Sequence, residues 1–505
     1  MTEQLAEKPN ITANPDKLGK LLFVLATLSL ACAPSQFAAV NVGGLSVGLS
    51  EIFLALAAYV WMLRWFTMRD TSSLPPLTHW LVVGATLLGI FVIKGDKPEL
   101  SVLKESAQLF LYLVVAVTVF RSVFTTVART RTAFTWLLVT TSLAVLIAVG
   151  QWAMLQRDYQ PDPQQRVVFA SKAARVEDSD NAPEADKKKM GMWDSAGVFH
   201  AQSHAKLRPI YSYIQTPAAV SSTFGSWNVH GYYPSRTAYA AFLALVLPFA
   251  LALLLCAGTR KYLVWISLLL LGAAVSVLAG LVVPAILAGI LAVGIALGPK
   301  VGRWTMLGIL LYLLPMTLVH GFNQQEVIRE PYRLQMSAQD ATFRYEDGKQ
   351  HLKKFWGEQV AALQVIPQSP LFGAGAGKYQ ESVSSSAYGH LGAVATQRLE
   401  SDEQSGYLLI TVTMGFLGLA ALLALFGQYL GMAWQQVRNY TNPWTAALFG
   451  AMVALVILTA VTNPWVRGTS VLIAALFAVI GNGVFATSSP VGEEEGQNDN
   501  SINND

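Results

Sequence analysis

The sequence predicts an all-α, polytopic membrane protein with about 12 transmembrane helices and two long polar loops on one side of the bilayer. Three observations lead there. Of 505 residues, 53% are hydrophobic and only 13% charged, against about 25% charged in a soluble domain. The apolar residues gather in runs near the roughly 20 needed to cross the hydrocarbon core. Basic residues are also shared unequally between alternate connections, which sets orientation.

The runs fall at 18–38, 45–66, 77–93, 106–124, 133–154, 237–257, 261–279, 282–298, 303–320, 405–430, 443–462 and 468–487. The stretch 261–298 is too long for one helix and is cut near Gly280 and Pro284, so it is split in two; eleven spans is the alternative. The domain plan is an N-terminal bundle (1–155, spans 1–5), a first loop (156–235), central helices (236–320, spans 6–9), a second loop (321–404), C-terminal helices (405–490, spans 10–12) and a tail (491–505).

With a cytoplasmic N-terminus, the inner connections hold Lys17, Lys20, Arg64, Arg69, Arg121, Arg129, Arg131, Arg260, Lys261, Lys300, Arg303 and Arg438. The short outer connections hold Lys94, Lys97 and Lys104, nearly balanced by Asp96, Glu99 and Glu105, plus Arg467. The loop Asn41–Ser50 carries no charge at all. This asymmetry sends both long loops outward and both termini inward. The tail, with Glu493, Glu494 and Glu495, is acidic and expected to be disordered.

Cys32 and Cys256 both lie in hydrophobic runs, so no disulfide framework follows. The segment Leu30–Ala33 departs from a lipoprotein cleavage site, because Ser29 rather than Leu stands three residues before Cys32. It reads as part of an uncleaved first helix. The net charge of +4 is spread along the chain and does not point to nucleic acid.

The first loop contains a mixed-charge stretch that reads as a solvated insertion, and then an aromatic-rich exit with Trp227, Tyr232 and Tyr233 that suits the membrane interface. In the second loop Leu352, Phe355, Trp356, Val360 and Leu363 recur at helical spacing, and Pro367 ends the pattern. Such a helix can lie on a membrane surface.

Ionisable residues are nearly absent from the span interiors, which counts against an ion-coupled carrier. Chemistry is expected at the outer interface. Arg236 opens the span after the first loop; Arg333, Arg344, Lys349, Lys353, Lys354, Lys378 and Arg398 lie in the second loop; Arg467 sits in the last outer connection. Arginine is the preferred clamp for phosphate because its planar fork donates in pairs. The plainer reading is that such cations pair with nearby acids or lipid head groups. Asp402 and Glu403 stand immediately before a span and are either helix-capping acids or, in apolar surroundings, proton-transfer groups. His390, His351 and His230 are further acid–base candidates. Gly373–Gly377 lacks the context of a nucleotide fingerprint and reads as a tight turn. The histidines do not pair at metal-ligand spacing, and no cofactor is expected.

Several segments resemble the O-antigen ligase and polymerase superfamily. These are Trp356, the turn Pro370-Leu371-Phe372-Gly373-Ala374-Gly375, the pair Gln404-Ser405, and Leu408 and Gly415 opening the next span. Arg236 and Pro248 match the segment before the central spans, and Glu51 stands at a commonly acidic position of the second span. The resemblance covers roughly 220–430, with looser similarity before it. It implies a bacterial inner-membrane enzyme with periplasmic loops and cytoplasmic termini. Such an enzyme acts on undecaprenyl-diphosphate-linked glycan without a metal, with an acceptor glycan or lipid A core, membrane lipids around it, and a chain-length regulator as a partner. It also implies substrate contacts at Arg236, Arg344, Lys353, Lys354, Gln404, Tyr407 and Arg467, with Glu403 or His390 as base. Two positions depart from the family pattern. Gln404 stands where ligases usually carry His, and Ser276 is followed by Val277 and Leu278 rather than Arg-Gly. Glu403 or His390 has then taken the base role, the chain is a divergent polymerase, or activity has been lost. Polymerisation is the favoured expectation. A transporter or flippase for a small anion or lipid-linked sugar, and a non-catalytic export component, are the alternatives.

Overall fold

The computed structural model describes residues 17–35, 38–42, 45–68, 73–92, 106–158, 236–255, 282–310, 359, 362–376, 378–384, 405–465 and 467–485. These are mostly helical. The helices are α1 (Lys17–Ala31), α2 (Leu49–Met68), α3 (Leu77–Val92), α4 (Ser106–Val123), α5 (Val127–Asp158), α6 (Arg236–Leu255), α7 (Val283–Ala296) and α8 (299–310). After a 3-10 turn at Ile366–Gln368 come α9 (Tyr379–Ser384), α10 (Gly406–Asn439), α11 (Pro443–Val461) and α12 (Arg467–Asn482). Five are long and apolar enough to cross a membrane: Leu49–Phe66, Ser106–Val123, Val127–Ala148, Gly406–Asn439 and Pro443–Val461. Shorter apolar helices are Leu77–Leu88, Ala238–Leu254, Pro284–Ala296 and Gly468–Asn482. The chain is a membrane-embedded helical protein. The expected span at 261–279 and most of both long loops lie outside the described residues.

One departure from an all-α chain stands at the start. The first span was expected over 18–38, but α1 stops at Ala31. An antiparallel hairpin follows, β1 (Ala38–Val42) against β2 (Leu45–Gly48), with Val42 opposite Leu45. Two residues, Gly43 and Gly44, stand between the strands in the chain. β2 runs straight into α2, whose first turn is fixed by Glu51. Its Oε2 accepts from the Gly48 backbone N–H at 2.7 Å, and its Oε1 accepts from the Tyr112 hydroxyl. Tyr112 lies in a π-helical turn, Leu111–Ala116, inside α4. Glu51 is therefore held by protein partners.

The core is a continuous apolar cluster that runs through α1, α4, α6, α7, α11 and α12. From Ala238 to Ala250 every residue of α6 is buried. A helix apolar on all sides belongs inside a bundle. α11 packs against both α6 and α7, and small residues let the backbones approach. A Cβ added at Gly450 would stand 2.8 Å from the Gly289 carbonyl oxygen, and one at Gly289 would stand 2.9 Å from Ala454 Cβ. Thr86, Thr118, Thr141 and Ser142 donate to carbonyls four residues back within their own helices, which satisfies their hydroxyls in apolar surroundings.

At the end of the bundle expected to face the cytoplasm, polar side chains tie five helices together. Arg121 donates through Nε to Asn482 Oδ1 (3.2 Å) and through a terminal nitrogen to the Leu74 carbonyl (2.8 Å). The Asn482 amide donates to the carbonyls of Arg121 and Phe124 at 2.8 and 2.9 Å. His79 Nε2 and the Tyr429 hydroxyl are 2.8 Å apart, and Thr78 donates to Gln428 Oε1 at 2.5 Å. Gln436 donates to the Ile480 carbonyl at 2.6 Å. The Asn442 side chain forms a capping box with Thr445 at the start of α11 and donates to the Phe485 carbonyl at 3.1 Å. His79 is fully buried in the first turn of α3, at the end of that span rather than in its middle.

Candidate functional site

α10 is broken near its start. Gly415 takes φ 68° and ψ −168°, so the helix stops and restarts there. A break frees backbone groups that hydrocarbon cannot satisfy. The turn from the second loop supplies the partners. Ala374 N–H donates to the Val412 carbonyl (2.7 Å) and Gly375 N–H to the Thr413 carbonyl (2.9 Å). In the other direction, Phe416 N–H donates to the Pro370 carbonyl (2.7 Å) and Leu417 N–H to the Leu371 carbonyl (3.3 Å). Gly373 has φ 72°, and a Cβ on it would stand 2.5 Å from Met414 N; one on Gly415 would stand 2.5 Å from Phe372 N. Only glycine fits at either place. Below this latch, Ala362, Val365, Tyr379, Val383 and Val412 form a small separate core, with Leu408 and Leu409 against it. The described part of the second loop is thus part of the folded body.

The first residues of α10 meet the far end of α11. Gly406 N–H donates to the Thr462 carbonyl at 3.3 Å, and the Tyr407 hydroxyl donates to the Val456 carbonyl at 2.9 Å. The Tyr407 ring stands edge-on to Phe426 (6.3 Å, 78°), and Phe426 stacks on Trp465 (6.4 Å, 13°). Asn463 Oδ1 accepts from the Trp465 backbone N–H at 3.1 Å, which orients the two residues leading to α12. Ser405, Thr459, Thr462, Asn463, Thr469 and Ser470 are buried around these helix ends. The Thr459 hydroxyl donates within α11 to the Leu455 carbonyl.

Of the expected site residues, Tyr407 is placed with its side chain, half-buried in this cluster. Arg467 opens α12 at the cluster's edge, and Arg236 opens α6. Glu403, Gln404, His390, Arg344, Lys353 and Lys354 lie outside the described residues, and Glu403 and Gln404 directly precede Ser405 in the chain. Among the motif residues, the turn Pro370–Gly375 and Gly415 are brought into direct backbone contact, with Leu408 in the adjoining small core.

Sequence reasoning passed over Trp465. The signal was present in Asn463-Pro464, a dipeptide that marks a turn and so sets Trp465 and Arg467 at a helix entry. Among the described residues, no group of three or more His, Cys, Asp or Glu could hold a metal ion. The arrangement gathers buried hydroxyls, an indole N–H and packed aromatic rings. These are groups that bind sugars and phosphate oxygens through hydrogen bonds and stacking. No protein-family model and no curated protein matches the chain.

Proposed function

We propose that the chain is a membrane glycosyltransferase. It polymerises or ligates undecaprenyl-diphosphate-linked oligosaccharide on the periplasmic face of the bacterial inner membrane, without a metal or cofactor. The observation that supports it most is the backbone latch between Pro370–Gly375 and the Gly415 break. It fixes a polar loop to α10, the helix whose first turn carries Tyr407. A lipid-linked diphosphate carries its charge at such a boundary between apolar helices and water.

In the reaction, the acceptor hydroxyl attacks the anomeric carbon of the donor sugar. The bond from that carbon to the diphosphate oxygen breaks, and the diphosphate departs with the electron pair. The hydroxyl proton passes to Glu403 or His390. Arg236, Arg344, Lys353, Lys354 and Arg467 neutralise the leaving group, while Gln404 and Tyr407 hydrogen-bond the sugars. A chain-length regulator is the partner that a polymerase of this kind takes.

The test is polymer length. Arg236→Ala should abolish long-chain polymer while protein stays in the membrane at the normal level, and unchanged length on a gel would contradict the assignment. Glu403→Gln should slow turnover more than it weakens donor binding; equal loss of both would make Glu403 structural. One observation favours a second reading. The buried His79–Tyr429 pair is the kind of group that a proton-coupled carrier of small anions uses. Uptake into vesicles that stops in His79→Phe, with polymer unaffected by Arg236→Ala, would choose the carrier.

A further inference from the structure

The entry to α12 holds two buried polar atoms without partners. The Trp465 indole Nε1 and the Ser470 hydroxyl make no hydrogen bond, and the residues are 9% and 0% exposed. A buried donor left unmade costs about 1–3 kcal/mol, so such atoms point to something that completes them. Their places in the helix are informative. With Arg467 as the first helical residue, Trp465 and Ser470 take the positions just before the cap and in the fourth helical place. In a helix-entry staple those two positions meet on one face. The first turn of the 16-residue α12 carries the positive end of the helix dipole. A donor N–H, a hydroxyl and a dipole's positive end all favour one ligand chemistry, an anionic oxygen. The indole plane is held by its stack on Phe426 and by the Asn463 turn, so the ring is fixed before any ligand arrives.

We infer that Trp465 and Ser470 form a phosphate-oxygen site at the head of α12. The assignment rests on the proposed diphosphate donor for its principal ligand; a phosphate-bearing lipid head group supplies the same oxygen. Trp465 donates its indole N–H to the oxygen, and Ser470 donates its hydroxyl. Neither residue takes part in bond making.

The experiment uses the purified full-length protein in a phosphate-free detergent, titrated with farnesyl diphosphate, inorganic pyrophosphate and phosphatidylglycerol. Wild type should bind farnesyl diphosphate. Trp465→Phe, which keeps the ring and removes the N–H, should weaken that binding about tenfold, the cost of one hydrogen bond to a charged group. Ser470→Ala should weaken it similarly, and neither should lower the ligand-free melting temperature. Loss of phosphatidylglycerol binding alone in the same variants would identify a head group as the occupant. Unchanged affinity in both variants, or no binding by wild type, overturns the site. A lowered ligand-free melting temperature with unchanged affinity also overturns it, since a buried water then completes the two atoms. Should Trp465→Phe fail to fold, the indole N–H resonance of Trp465 in wild type must shift on adding farnesyl diphosphate. Diphosphate binding that needs both residues in a protein that makes no polymer would sink the glycosyltransferase reading and leave the site standing. Polymer synthesis with unaltered binding in the variants does the reverse.

Discussion

At Tyr407 a single hydroxyl joins two helices, and its loss can be measured apart from the chemistry. Tyr407→Phe removes one partly buried hydrogen bond to the Val456 carbonyl, so stability should fall by about 1 kcal/mol. Melting in detergent reads that change. A fall in polymer synthesis larger than the accompanying fall in folded protein would place the hydroxyl against substrate. Gly468 is a second informative residue. A Cβ there would collide with the Ala33 carbonyl oxygen, backbone against backbone. Gly468→Ala should therefore push α12 away from the end of α1 and lower the melting temperature, while Gly431→Ala, with nothing within 4 Å, should not. The residue types of the site were partly legible in the sequence. Tyr407 and Arg467 sit at helix starts because the hydropathy edges fall there. Trp465 was not legible, because an indole's missing partner shows only when its neighbours are packed around it.

Among the elements, the latch makes the strongest prediction. Gly415→Ala and Gly373→Ala each place a Cβ 2.5 Å from backbone nitrogen and also force a side chain into left-handed backbone. Each should cost about 3 kcal/mol or more. Limited proteolysis within the second loop should quicken while the rest of the bundle stays resistant; equal protection in both variants would rule out the latch. The polar tie at the other end behaves differently. Asn482→Ala removes two donors and one acceptor at once and should cost about 2 kcal/mol, read as a lower melting temperature without loss of membrane insertion. Most helices were legible from hydropathy, since period and length decide them: α2, α3, α7, α11 and α12 begin within a few residues of the expected edges. The hairpin Ala38–Gly48 was not, because Ala, Val and Leu score as apolar whether they form a span or a strand. The break in α10 was also hidden, since a glycine inside an apolar run has the same hydropathy whether or not its φ is positive.

For the whole molecule, the described helices establish a membrane-embedded protein, and the distribution of lysine and arginine predicts its orientation. Reporter fusions after Asp158 and after Ser384 should both report the outer compartment, and a fusion after Asn439 the cytoplasm. Fusions after Asp158 and Ser384 that light up inside would remove the basis for placing the reaction outside. The charge asymmetry is visible in sequence because insertion reads short loops one by one. The way helices distant in sequence cap one another, as Asn482 caps Arg121 and Phe124, depends on three-dimensional proximity and leaves no periodic trace.

Because the Gly415 gap is closed by main-chain groups from residues 370–375, the polypeptide before Ser384 and the helices after Ser405 are two halves of one interlocking joint. A gene cut between those positions should yield fragments that find each other in the bilayer. Deleting the joint's outer half should strand four main-chain groups in oil and scuttle the inner half with it.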